Sequence, residues 1–139
     1  MANVVLGGNA NSRLVNRIRQ KEGLAYGCGS MATAGPLDRV GTFLAYSICA
    51  PQNAGRAVGC AQEEIKRFLA EGVPADELNE ARQGYRQQLE VGLSNDGAVA
   101  GMLTRDLFLG RTLKFAAEQL AKIEALHPAD VQAALAKYV

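Results

Sequence analysis

The apolar positions of this chain change period twice. Between residues 12 and 22 they recur as on a helix, with Leu14, Val15 and Ile18 on one stripe. Ser12 or Asn11 is placed to cap its first free N–H groups. Arg17, Arg19 and Lys21 fall near the negative end of its dipole, and Gly23 supplies a left-handed stop. Arg19 sits at the border of the stripe, where a guanidinium reaches around the edge of a core. Over residues 24–32 the period drops to two. Leu24, Tyr26, Cys28 and Ser30 share one face of a predicted strand, and Gly27 and Gly29 share the other. Two glycines on one face leave room for the close approach of another backbone, a helix or a bound peptide. A turn at Ala34-Gly35-Pro36-Leu37-Asp38 leads to a second strand over residues 41–50, where Thr42, Leu44, Tyr46 and Ile48 alternate with Phe43, Ala45, Ser47 and Cys49.

Beyond Pro51 the pattern is helical. Asn53 is a good cap, and Ala54, Ala57, Val58, Ala61, Ile65, Phe68 and Leu69 repeat at helical spacing up to Gly72. A second helix is predicted over residues 75–91, with Leu78, Ala81, Tyr85 and Leu89 inward. Ser94 is placed to cap a third that carries Val99, Met102, Leu103 and Leu107, Leu113 to Ile123 mark a fourth, and Pro128 opens a fifth. A two-stranded hairpin apolar on both faces is not stable alone. The pattern therefore predicts an α+β fold: an antiparallel hairpin that belongs to a larger sheet and is covered on one face by several helices.

Composition narrows the classes of function. The chain has 139 residues, of which 48% are apolar and 21% charged, and its formal net charge is +1. This is one domain at most. Fifteen Lys and Arg are scattered among fourteen acids, without a basic cluster interleaved with aromatics, which argues against nucleic acid. No apolar run is long enough to cross a bilayer, so the expectation is a soluble chain, cytoplasmic or periplasmic. Gly7-Gly8-Asn9-Ala10-Asn11-Ser12 precedes a helix as a phosphate loop would, but it lacks the lysine and the glycine spacing. Its glycines suit a sharp turn and close backbone packing.

Candidate chemistry is sparse. Cys28, Cys49 and Cys60 form an odd set without a Cys-x-x-Cys spacing, which reads as small buried residues. A Cys28 to Cys49 bridge across neighbouring strands stays open, because register is not readable from sequence. The one histidine, His127, precedes Pro128 at a helix start, where a capping or exposed role is expected, and no second imidazole exists to share a metal. Glu63-Glu64 reads as a solvated helix face and Asp76-Glu77 as a helix start favoured by the dipole. Arg13 and Arg17 read as surface charges.

Leu6-Gly7-Gly8, Ser12-Arg13-Leu14, Ile18-Arg19 and Lys21-Glu22-Gly23-Leu24-Ala25-Tyr26 together resemble the signature of the second-half domain of pitrilysin/insulinase-type zinc peptidases, the inverzincins, which include the mitochondrial processing peptidases. The likeness continues through the hairpin, a helix ending in Glu71-Gly72-Val73-Pro74, the start at Asp76-Glu77-Leu78 and a closing helix around Asp130-Val131. It implies that residues 1–139 are a single partial domain, the non-catalytic, substrate-binding half. It further implies that residues 1–8 end a helix and that another strand follows residues 137–139. The zinc motif His-x-x-Glu-His is missing here, so zinc is expected on another domain or subunit. By the same resemblance Arg19 and Tyr26 contact the substrate carbonyl and the tetrahedral intermediate. The implied partners are a zinc-bearing N-terminal domain or partner subunit and an extended peptide. Self-association through exposed strand edges is also expected. The alternative from another class is an inactive structural subunit that keeps the fold for assembly.

Overall fold

A computed structural model describes residues 1–138; Val139, and with it the strand expected beyond residues 137–139, lies outside the described residues. Two short helical segments, Val4–Gly8 and Val15–Lys21, precede strands β1 (Ala25–Ala34) and β2 (Gly41–Cys49). Five α-helices follow: α1 (Ala54–Glu71), α2 (Ala75–Leu93), α3 (Asp96–Phe108), α4 (Lys114–Ala125) and α5 (Pro128–Tyr138). The strands pair antiparallel, and among the described residues the sheet consists of this hairpin. The α+β reading and its element order hold.

The second helical segment differs from the α-helix expected there. Its turns are wide, closed by i→i+5 hydrogen bonds and ended by Glu22 N–H donating to the Arg17 carbonyl at 3.2 Å. Leu14, Val15 and Ile18 are buried together, so the apolar stripe is real, but their spacing fits turns of either width. Ser12 and Asn11 do not cap it with their side chains. The buried Ser12 hydroxyl donates to the Asn9 carbonyl at 2.6 Å, and the Asn9 side chain accepts from the Asn11 N–H at 2.9 Å. Gly23 does supply the stop, at φ 61°, and Leu24 N–H reaches back to the Ile18 carbonyl at 3.0 Å.

The core lies between this segment, the hairpin and helices α1, α2 and α5. Leu14, Ile18, Phe68 and Leu78 are its largest fully buried side chains, each contributing about 1.5–3 kcal/mol by burial. On β1 the strict alternation fails at one place. Ala25 pairs with Cys49 and Gly27 with Ile48, which leaves Tyr26 as the extra residue of a bulge. Cys28 is buried as predicted and Ser30, on the same face, is buried with it, whereas Tyr26 is 84% exposed. The same register places Cys28 opposite Ser47 and Cys49 opposite Ala25. A diagonal separation of about 7–8 Å is too long for a disulfide, and all three cysteines are free.

Gly7 and Gly29 account for the glycine pattern. A Cβ on Gly29 would lie 2.6 Å from the Gly7 carbonyl oxygen, and one on Gly7 would lie 2.4 Å from the Ser30 nitrogen. The Asn3 side chain locks the same place, accepting from the Ser30 hydroxyl at 2.8 Å and donating to its carbonyl at 3.3 Å. Gly27 takes no part: among the described residues a Cβ there would come within 4 Å only of Ile48 Cδ1, at 3.8 Å.

Several side chains sit elsewhere than expected. Asn53 makes no cap bond and instead donates to the Leu24 carbonyl at 3.2 Å, tying the start of α1 to β1. Val58 is exposed, and Glu64 is buried and paired with Arg67 at 2.7 Å, so the inward face of α1 is rotated toward Ala57, Cys60, Glu64 and Phe68. Asn95, one residue beyond Ser94, caps α3, its side chain accepting from Ala98 N–H at 2.9 Å. Helices α3 and α4 pack on α2 rather than on the main core, and Leu103, Leu107 and Leu113 are exposed.

Arg82 is the main tie between α2 and α4. It donates to the Ile123 carbonyl at 3.1 Å, to Leu126 at the end of α4, and to Asn79 at 2.7 Å. Arg82→Ala is expected to destabilise the chain by about 1–2 kcal/mol, because two helix-end carbonyls lose a charged donor. Urea unfolding followed by circular dichroism would show this as a lower midpoint; an unchanged midpoint would mean that water replaces Arg82 without loss.

Candidate functional site

The candidate site begins where the wide helical segment hands over to β1. Of the basic residues in this segment and just before it, Arg13 and Arg17 are committed to structure. Arg13 is mostly buried, donates to Glu77 at 2.8 Å and to the Gly72 carbonyl at 3.1 Å, and lies 5.0 Å from the Phe68 ring centroid. It is a strut between the segment and α1–α2, not a surface charge; its stem packs in the core while its head is paired. Arg17 pairs with Glu22 and, at 3.1 Å, with Glu63, whose hydrogen bond raises the guanidinium's pKa. Glu22 also accepts from Arg56 at 2.5 Å. The end of the segment is thereby held to α1 by a chain of charges.

Arg19 stands apart from that network. It is exposed, and among the described residues it forms no ion pair and no side-chain hydrogen bond. Burial raises the pKa of the Cys28 thiol, the first buried residue of β1, and the Arg19 charge and backbone pull the other way. Tyr26, released by the bulge, offers its phenol to solvent. A guanidinium and a phenol are donors suited to an oxygen that gains negative charge. The bulge was the element the alternation missed, and an exposed Tyr between Ala25 and Gly27 is its trace.

The described residues do not offer a zinc-ligand set. His127 is 81% exposed and lies 3.7 Å from Asp130, whose carboxylate accepts from the His127 backbone N–H at 2.7 Å. Among the described residues no group of three His, Cys, Asp or Glu converges as a metal site needs. No helix among them is long and apolar enough to cross a membrane.

Fold and site together define an α+β domain that, among the described residues, exposes the Arg19 and Tyr26 side chains and brings no metal-ligand set together. The comparisons with known proteins agree. Residues 1–85 match the family described as the peptidase M16 inactive domain, and the chain belongs to that family. It is 29% identical over 131 residues to an uncharacterized zinc protease of Streptomyces coelicolor, covering 94% of this chain and 28% of that protein. It is 35% identical over 88 residues to an uncharacterized zinc protease of Rickettsia bellii, covering 63% of this chain and 21% of that one. Its fold superposes on the peptidase M16 inactive domain of Pseudomonas fluorescens with a TM-score of 0.79, at 24% identity, covering 99% of this chain and 32% of the other. The chain thus spans less than a third of the length of these relatives.

Proposed function

We propose that this chain is the substrate-side domain of a zinc metallopeptidase. Arg19 and Tyr26 donate hydrogen bonds to the carbonyl of an extended peptide, and to the oxyanion formed from it, at a zinc site carried by another domain or subunit. The observation that carries this reading is the contrast within residues 13–26: Arg13, Arg17 and Glu22 are all paired, while Arg19 and Tyr26 are exposed and unpartnered among the described residues. Two donors left free on a braced scaffold are available to a peptide oxygen and to the negative charge that develops on it. The partners are the zinc-bearing half and the peptide. Pairing of copies along the free edge of β1, outside the Ser30 stretch contacted by Asn3 and Gly7, belongs to the same reading.

The test is cleavage of a broad peptide mixture by this chain together with its zinc-bearing half. Zinc-dependent cleavage that falls in Arg19→Ala and Tyr26→Phe supports the role. No cleavage by the wild-type assembly would favour a structural subunit of the same fold.

A further inference from the structure

We infer that the outward row of β2, Ile48, Tyr46 and Leu44 with Met31 beside it, is a surface on which the peptide lays apolar side chains, so that the chain selects an apolar, uncharged stretch of substrate. This inference rests on the function proposed above and names the class of substrate it takes. The hairpin register places Gly27, Gly29 and Met31 directly opposite Ile48, Tyr46 and Leu44. Opposed residues of an antiparallel pair share a face, so these form one surface. The other face, with Cys28, Ser30, Ala45 and Cys49, packs into the core against α1 and the Val15–Lys21 segment. Gly29 in the middle of this surface is buried beneath the Gly7 carbonyl, and the side chains around it stay open among the described residues: Leu44 is 49%, Tyr46 48%, Ile48 60% and Met31 50% exposed.

Three features point to a peptide of this chemistry. The row starts beside the donors, because the bulge sets Tyr26 next to Gly27, the partner of Ile48. At Gly27 the structure leaves a notch, since a Cβ there would meet only Ile48 Cδ1 at 3.8 Å, and a substrate side chain has room to enter. Alternate side chains of an extended peptide repeat at about 6.6 Å, the same spacing as Leu44, Tyr46 and Ile48 on their strand. The row carries no carboxylate, ammonium or guanidinium. A charged substrate residue laid on it would lose water without gaining a partner, whereas an apolar one gains by burial.

The experiment uses the assembly with its zinc-bearing half and two labelled peptides, one with apolar and one with acidic residues flanking the cleaved bond. Both kcat/KM and, after zinc removal, binding by fluorescence anisotropy are read for wild type, Ile48→Lys, Leu44→Lys and Ile48→Val. Circular dichroism checks that each variant is folded. Ile48→Lys and Leu44→Lys are expected to lose about tenfold or more on the apolar peptide and to gain on the acidic one, with Ile48→Val near wild type. An unchanged preference in both lysine variants, with Arg19→Ala still slowing both peptides, would overturn the apolar row and leave the donor role standing. A shifted preference with Arg19→Ala and Tyr26→Phe silent would keep the row and remove the donors.

Discussion

Gly7→Ala is expected to cost about 3 kcal/mol of stability, the upper end of what one inserted methyl costs in a packed interior. The new Cβ would lie 2.4 Å from the Ser30 nitrogen and 2.8 Å from the Gly29 carbonyl carbon, both backbone atoms that cannot rotate away. Relief requires moving Val4–Gly8 off β1, which breaks both Asn3–Ser30 hydrogen bonds and uncovers Val5 and Leu6. Against a typical total of about 5–15 kcal/mol this is a large fraction. Gly84 in α2 is the control, because nothing lies within 4 Å of a Cβ built there. Gly84→Ala should stabilise by about 0.5–1 kcal/mol through helix propensity. Urea midpoints for the two variants should move in opposite directions; a Gly7→Ala midpoint equal to wild type would show that the two backbones are not locked together.

The second large effect is on catalysis by the assembly. Arg19→Ala and Tyr26→Phe are each expected to lower kcat/KM by a factor of about a hundred or more, which corresponds to about 3 kcal/mol of lost transition-state stabilisation. Donors that meet an oxyanion act mainly in the transition state, so kcat should fall with kcat/KM and KM should change little. Unfolding midpoints should stay near wild type, since Arg19 is exposed and unpaired and Tyr26 is 84% exposed. That combination separates chemistry from folding. Rates unchanged by either substitution would sink the assigned role, and a matched loss of stability would make the effect structural.

The apolar stripe of Leu14, Val15 and Ile18, the hairpin and the long face of α1 followed from periodicity, because burial imposes it on any sequence that folds this way. Gly23 was readable as a stop for a similar reason: few residues other than glycine adopt φ 61° without strain. What escaped the pattern depends on partners distant in sequence. Arg13 looks like a surface charge until Glu77 and Gly72 come round to meet it, and Glu64 looks solvated until α1 is rotated by the packing of Phe68 and Cys60. The bulge at Tyr26 is a property of two strands in register, so one strand's alternation does not contain it. For the candidate site, Arg19 and Tyr26 were named through the family resemblance of their flanks, and their shared exposure emerged from the fold.

The bulge also separates two kinds of selection acting on adjacent residues. In an unbroken strand Tyr26 would share the face of Cys28, and any change to the phenol would disturb the core. With one extra residue in β1, Cys28 answers to packing while Tyr26 answers only to what lies outside the domain. Arg19 is free of internal obligations in the same way. Both side chains can therefore be replaced with little thermodynamic resistance while the whole scaffold is retained, so under the function proposed above the donors and the fold are separable by two point substitutions.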